Sequence, residues 1–237
     1  MRTRLCSVAA VLTLLVPVSP ARAATEACFG KEPTIVGTDG NDELRGTYGP
    51  DVIQGLGGTD DITGLSGADL ICGDEGNDFL QGGTGRDKVS GGKGEDVLSP
   101  GDGADLLRGG EGGDRLMPSW GSDQTIDGGP GHDLVVLTSF PKRLRIDLER
   151  GFARGGSSRY VLRRMESAHS GSGDDVILGS PGPNALDGGP GDDRIRARGG
   201  DDYVYGSHGD DHGHGGSGDD WCIAETAEAC EPQGEEP

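Results

Sequence analysis

The sequence is poor in the side chains that fill a layered interior. Aromatic residues make up 4% of the 237, and methionine occurs three times. A wide core between packed layers cannot be filled from that list. Basic charge is scarce too. Lys and Arg number 21 against 41 Asp and Glu, a formal net charge of −20. Such a surface repels nucleic acid and anionic lipid and attracts cations. Catalytic signatures are missing: there is no H-E-x-x-H and no G-x-S-x-G. The chain therefore reads as a non-enzyme. Long apolar runs are confined to LCSVAAVLTLLVPV, behind the basic start MRTR and ahead of Ala21-Arg22-Ala23. That run is short for a membrane span but fits a secretory signal peptide over residues 1–23. Its removal takes away Arg2, Arg4 and Arg22 and moves the net charge from −20 to −23. No later stretch is apolar enough to cross a membrane.

Four cysteines remain beyond the leader: Cys28, Cys72, Cys222 and Cys230. An even number in an exported chain points to disulfides. Three pairings are possible. Closeness in sequence favours Cys28–Cys72 and Cys222–Cys230, one staple at each end.

Glycine is what the chain has in excess, 47 residues, and it is periodic. From Gly37 the sequence divides into rows of nine, such as GDEGNDFLQ, GGTGRDKVS and GGKGEDVLS. One row, PSWGSDQTID, carries an extra residue, and GGPGHDLVV follows it. The phase resumes at Ser170 with SGSGDDVIL and runs to GGSGDDWCI. In all seventeen rows the fourth position is glycine. The sixth is Asp, or Asn184 in one row. The eighth is apolar apart from Thr125 and Gly213. Glycine reaches positive φ, so the start of each row is a tight turn. The x-apolar-x that follows is a very short strand with one inward side chain. Two rows make an 18-residue coil with strands on opposite sides. Stacked coils pair their strands in parallel around a narrow core that includes Leu80, Val89, Leu98 and Leu107.

Stacking also sets Asp above Asp along each edge, which is repulsive unless cations lie between them. Ca²⁺ suits such a site, because it takes six to eight oxygens and mixes carboxylates with backbone carbonyls; Mg²⁺ is stricter and sheds water reluctantly.

The rows resemble the RTX, or haemolysin-type, calcium-binding nonapeptide G-G-x-G-x-D-x-U-x. The resemblance implies an all-β fold, a parallel β-roll (a right-handed solenoid) in two blocks separated by a β-hairpin-like interruption. It implies several Ca²⁺ ions, held in turns between rows two apart. The candidate ligands are Asp42, Asp51, Asp60, Asp69, Asp78, Asp87, Asp96, Asp105, Asp114, Asp175, Asp193, Asp202, Asp211 and Asp220. Asp78 and Asp96 should share one edge, and Asp87 and Asp105 the other. The best sites are expected from Gly73 to Asp114 and again around Asp193. Bulky second positions at Leu56, Leu65 and Arg198 predict poorer turns, and Gly213 leaves a core position unfilled.

The expected organisation is a signal peptide (1–23), a lead-in (24–36), a first roll block (37–136), an interruption (137–169), a second block (170–223) and an acidic tail (224–237), frayed beyond Cys230. In the interruption, Leu144, Ile146 and Leu148 alternate as in a strand, Tyr160 to Leu162 suggest another, and Gly155 to Ser158 form a turn. Eight basic residues gather there: Lys142, Arg143, Arg145, Arg150, Arg154, Arg159, Arg163 and Arg164. They either balance the acidic roll or dock a cell-wall or other extracellular polymer. His208, His212 and His214 lie close in sequence, but their spacing matches no structural zinc site. The sequence thus predicts a secreted, extracellular calcium-binding protein whose roll folds on binding the ion. The alternative is an adhesion or matrix protein that uses the roll as scaffold.

Overall fold

The computed structural model describes residues 28–121, 123–140 and 142–230. The expected signal peptide, the first residues of the expected lead-in and the tail beyond Cys230 lie outside them. Among the described residues the chain winds into a roll whose two walls are sheets of 13 and 10 strands.

Each row contributes a turn and then a strand, and successive strands alternate between walls. Phe79–Gly85 and Val97–Gly103 lie side by side in one sheet; Lys88–Lys93 and Leu106–Glu111 lie in the other. Pairing is parallel with an offset of 18 residues, as in Leu80 beside Leu98 and Val89 beside Leu107. Strand side chains alternate in direction. The eighth-position residues therefore point inward, and Ile53, Ile62, Ile71, Leu80, Val89, Leu98 and Leu107 are buried. Each contributes about 1.5–3 kcal/mol of burial. The core is one aliphatic file, so little other apolar burial offsets the ordering of so many glycine-rich turns.

The row with the extra residue corrects one expectation. Thr125 pairs with Leu106 and Ile126 with Leu107, so the inward residue is Ile126, which is fully buried. The insertion is absorbed in the turn before the strand Gln124–Asp127, and the core continues without a gap.

The interruption carries the larger sheet from the first run of rows to the second. It supplies three strands, Leu144–Asp147, Phe152–Gly155 and Ser158–Arg163, paired antiparallel to one another. The third pairs parallel with Gln124–Asp127 and the first with Val176–Leu178. The larger sheet is therefore unbroken. The expected turn at Gly155–Ser158 is present, but the strand Phe152–Gly155 was not foreseen. Opposite, the smaller sheet passes through this region on the single strand Ser167–His169. Trp120, Phe140 and Tyr160 meet edge to face here, with ring centroids 5.2 and 5.4 Å apart. The Tyr160 hydroxyl donates to the Ser119 carbonyl at 3.0 Å. The two buried aromatic residues, Phe140 and Tyr160, thus lie where the repeat fails.

Both expected disulfides are present, Cys28–Cys72 and Cys222–Cys230. The tail is ordered further than its composition suggests. Thr226–Glu228 forms the last strand of the larger sheet, against His212–Ser217.

Candidate metal centres

The sixth-position aspartates form two ladders. One runs along the edge of the smaller sheet. There the backbone N–H of Asp42 donates to Asp60 Oδ1, Asp60 to Asp78, Asp78 to Asp96, and Asp96 to Asp114, at 2.8–2.9 Å. Asp114 donates in turn to Asp133 Oδ1, and Asp133 to Glu166 Oε2, both at 2.9 Å. Beyond Asn184 the same edge continues through Asp202 and Asp220. The other ladder follows the larger sheet. It joins Asp51, Asp69, Asp87 and Asp105, then Asp175, Asp193 and Asp211, and ends on Glu225 Oε2.

Each bond spans one coil. Asp78–Asp96 and Asp87–Asp105 are thus each linked across 18 residues, on different edges as expected. Asp133 was missing from the expected ligands although its row, GGPGHDLVV, was legible. Glu166 and Glu225 lie outside the nine-residue phase, and no pattern marked them.

In each ladder carboxylate Oδ1 is used by the backbone, and Oδ2 is what remains. For Asp60, Asp69, Asp78, Asp87, Asp96, Asp114, Asp133, Asp193, Asp202, Asp211 and Asp220, Oδ2 is buried and has no hydrogen-bond partner. A buried anionic oxygen without a partner is costly. Around it stand the glycines. A Cβ on Gly64 would fall 2.6 Å from Asp69 Oδ2 and 2.5 Å from the Gly82 carbonyl oxygen. Only a glycine lets carboxylate and carbonyl converge at that distance. Hard oxygen donors, crowded and lacking hydrogens, fit a Ca²⁺ ion.

Four ladder carboxylates differ. Asp42 Oδ2 accepts from the Thr38 amide and hydroxyl at 2.5 and 2.9 Å, and Asp51 Oδ2 from those of Thr47 at 2.6 and 2.9 Å. Asp175 Oδ2 accepts from the Ser170 hydroxyl at 2.6 Å. Asp105 Oδ2 accepts from Gln124 Nε2 at 3.2 Å, because the extra residue places Gln124 rather than Asp123 in the ladder. Asn184 is satisfied likewise, accepting from the Ser180 amide and donating to the Glu166 carbonyl. At all five positions protein donors occupy the place where the other ladder residues have none.

Electrostatics point the same way. Burial pushes Asp96 up to about 7, with Asp114 and Asp78 adding repulsion, against the lowering effect of the Asp78 N–H. Asp193 is raised to about 7, again chiefly by burial. Asp78, Asp105, Asp133 and Asp202 are raised to about 6 for the same first cause. These carboxylates are short of compensating positive charge.

The turns hold their shape even where glycine is absent. Leu56, Leu65 and Arg198, at second positions, take φ of 84°, 82° and 84°. The expectation of poorer turns becomes one of strained residues in normal turns. Arg198 is anchored there by Asp147 at 3.3 Å and Glu149 at 2.9 Å. Gly213 brings no side chain to the core, but its neighbours close over the place: an added Cβ would lie 3.2 Å from Val204 Cγ1 and 3.3 Å from Ala224 Cβ. The three histidines gather no metal-ligand cluster among the described residues.

A family model described as the RTX calcium-binding nonapeptide repeat matches residues 36–71, 73–107, 101–124, 169–202 and 187–222, more than half of the chain. No curated protein matches it.

Proposed function

We propose, on the premise that this chain belongs to the RTX calcium-binding nonapeptide repeat family, that it is an exported β-roll which completes its folding on Ca²⁺ outside the cell. The repeats bind Ca²⁺ at multiple sites. The observation that carries the rest is the file of buried Oδ2 atoms without partners.

On this reading Asp60, Asp78, Asp96, Asp114 and Asp133 hold ions along one edge, with Asp202 and Asp220 further on. Asp69, Asp87, Asp193 and Asp211 hold them along the other. The glycine carbonyls of neighbouring coils supply further oxygens. Asp42, Asp51, Asp105 and Asp175 serve the backbone ladder, because their second oxygens are already hydrogen-bonded. Bound Ca²⁺ supplies positive charge that neutralises the ladders, and its binding free energy becomes folding free energy.

Extracellular calcium modules operate at about 10⁻⁴–10⁻³ M. A roll tuned to that range stays unfolded in the cell and folds outside. The signal peptide over residues 1–23 and the two disulfides support that location. The reading is of a binding and scaffold protein rather than a catalyst. Calorimetric titration of the mature, oxidised chain should show several Ca²⁺ ions per molecule, with no comparable uptake of Mg²⁺. Absence of Ca²⁺ binding at millimolar concentration would sink it.

A further inference from the structure

The outer face of the larger sheet carries a row of arginines that the calcium sites do not use. Strand pairing sets Arg159 opposite Arg154 and Arg154 opposite Arg145. Arg145 is beside Val176, Val176 beside Arg194, and Arg194 beside His212. With strands about 4.8 Å apart, this rank spans about 24 Å along the roll. Arg196 and His214 flank its far end in the same register.

Like charges directly opposite one another destabilise a sheet. In so acidic a chain, neutralising carboxylates were available. They are used elsewhere: Arg150 and Arg198 pair with Asp147, and Arg164 with Asp127. Among the described residues, Arg145, Arg154, Arg159, Arg194 and Arg196 make no ion pair. Arg154 is steadied instead over the Phe152 ring, 5.5 Å from its centroid. Two shallow depressions follow the rank. Arg143, Arg145 and Arg154 line one; Arg194, Arg196, His212 and His214 line the other, with Glu228 at its edge.

We propose that this face binds a linear acidic polysaccharide bearing one carboxylate per sugar, laid along the roll axis. Guanidinium groups match planar carboxylates with paired hydrogen bonds. In an extended two-fold chain of pyranose rings the carboxylates return to one side every second ring, close to twice the interstrand distance, so same-side carboxylates meet alternate strands, as at Arg159, Arg145 and Arg194. An extended acidic peptide does not, since its same-side carboxylates recur at about 6.8 Å. Single-stranded nucleic acid needs exposed aromatic platforms, and the one phenyl ring beside the rank, Phe152, lies against Arg154. The proposal does not depend on which aspartates hold Ca²⁺.

The test uses the Ca²⁺-loaded mature chain and a fluorescent six-sugar uronate oligomer too short to gel. A neutral six-sugar oligomer, polyglutamate and a single-stranded oligonucleotide are run beside it. The uronate should bind, more weakly as salt rises, and in preference to the other three. The Arg145→Ser, Arg154→Ser, Arg159→Ser triple variant should lose roughly tenfold or more in affinity. Arg115→Ser, on the opposite sheet, should lose nothing. No binding, unchanged affinity in the triple variant, or tighter binding of the peptide or oligonucleotide overturns the proposal. If circular dichroism shows the triple variant unfolded, Arg154→Gln alone should weaken binding severalfold, and an unchanged affinity there is equally decisive. A chain that bound the uronate while folding without Ca²⁺ would overturn the calcium reading and leave this one standing.

Discussion

The backbone N–H of Asp78 donates to Oδ1 of Asp96 at 2.8 Å, one coil away. Asp87, which lies between them in sequence, bonds Asp105 on the opposite edge at 2.9 Å. The nine-residue period therefore builds the wall and the core, and the 18-residue period builds the carboxylate ladders.

That bond leaves Asp96 Oδ2 without a partner, whereas Asp42 Oδ2 is held by Thr38. Asp96→Ala should reduce the number of Ca²⁺ ions bound and raise the Ca²⁺ midpoint of folding severalfold. Asp42→Ala should leave the ion count unchanged. Calorimetric stoichiometry of the two variants separates them, and equal losses would refute the division between ion-holding and self-satisfied carboxylates.

Proton linkage has a definite sign. Asp96 and Asp193 are raised to about 7, and Asp78, Asp105, Asp133 and Asp202 to about 6, from the ordinary aspartate value of 3.8. The metal-free folded chain thus holds protons that the unfolded chain has released. Their stabilising contribution is complete below about pH 4 and is lost as pH rises through about 6 to 7. Metal-free protein should gain β-structure, read by far-UV circular dichroism, as pH falls from about 8 to about 5. With Ca²⁺ present, acidification over the same window should weaken ion affinity, because protons compete for the same carboxylates. Metal-free β-structure that increases with rising pH would contradict this.

Strain at the second row position is also measurable. Leu65 has φ of 82° and occupies the position that Gly83 fills one coil on, at 111°. Leu65→Gly should stabilise the Ca²⁺-loaded roll by about 1 kcal/mol, the cost of a left-handed conformation in a residue with a Cβ. Gly83→Ala should destabilise it by about 1–3 kcal/mol, because the added Cβ would lie 3.0 Å from Leu65 Cα. Urea midpoints in saturating Ca²⁺ would show opposite shifts.

The Cys28–Cys72 disulfide, with a sequence separation of 44, ties the lead-in to the larger sheet. It brings the Phe29 ring over Lys88 and Arg108, at 5.9 and 5.4 Å. Replacing both cysteines with serine should cost about 3–4 kcal/mol in the chain-entropy account. A urea midpoint unchanged from that of the native chain would show that the lead-in is held by other contacts.

The roll was legible because glycine, aspartate and an apolar residue recur in fixed phase, and each has one structural job. The two edges and the core file from Ile53 to Leu107 follow from that phase, and the two disulfides from closeness in sequence. What the phase does not cover was not legible. The strand Phe152–Gly155 is short and non-repeating, and only its pairing with both neighbours makes it a strand. Ile126 replaced Thr125 in the core because a turn, not the strand, absorbed the extra residue. Glu166 and Glu225 end ladder segments from outside the repeat. The distinction between unpartnered and self-satisfied carboxylates depends on Thr38, Thr47, Ser170 and Gln124, whose hydroxyl and amide groups matter only once the turn is closed.

The central claim is that Ca²⁺ and the fold are one equilibrium. Far-UV circular dichroism of the mature, oxidised chain, titrated from EGTA into millimolar CaCl₂ at neutral pH, tests it most directly. The account predicts a disordered spectrum in EGTA and a cooperative conversion to β-structure on adding Ca²⁺, not reproduced by equal Mg²⁺. A β-spectrum already complete in EGTA and unaltered by Ca²⁺ would contradict it.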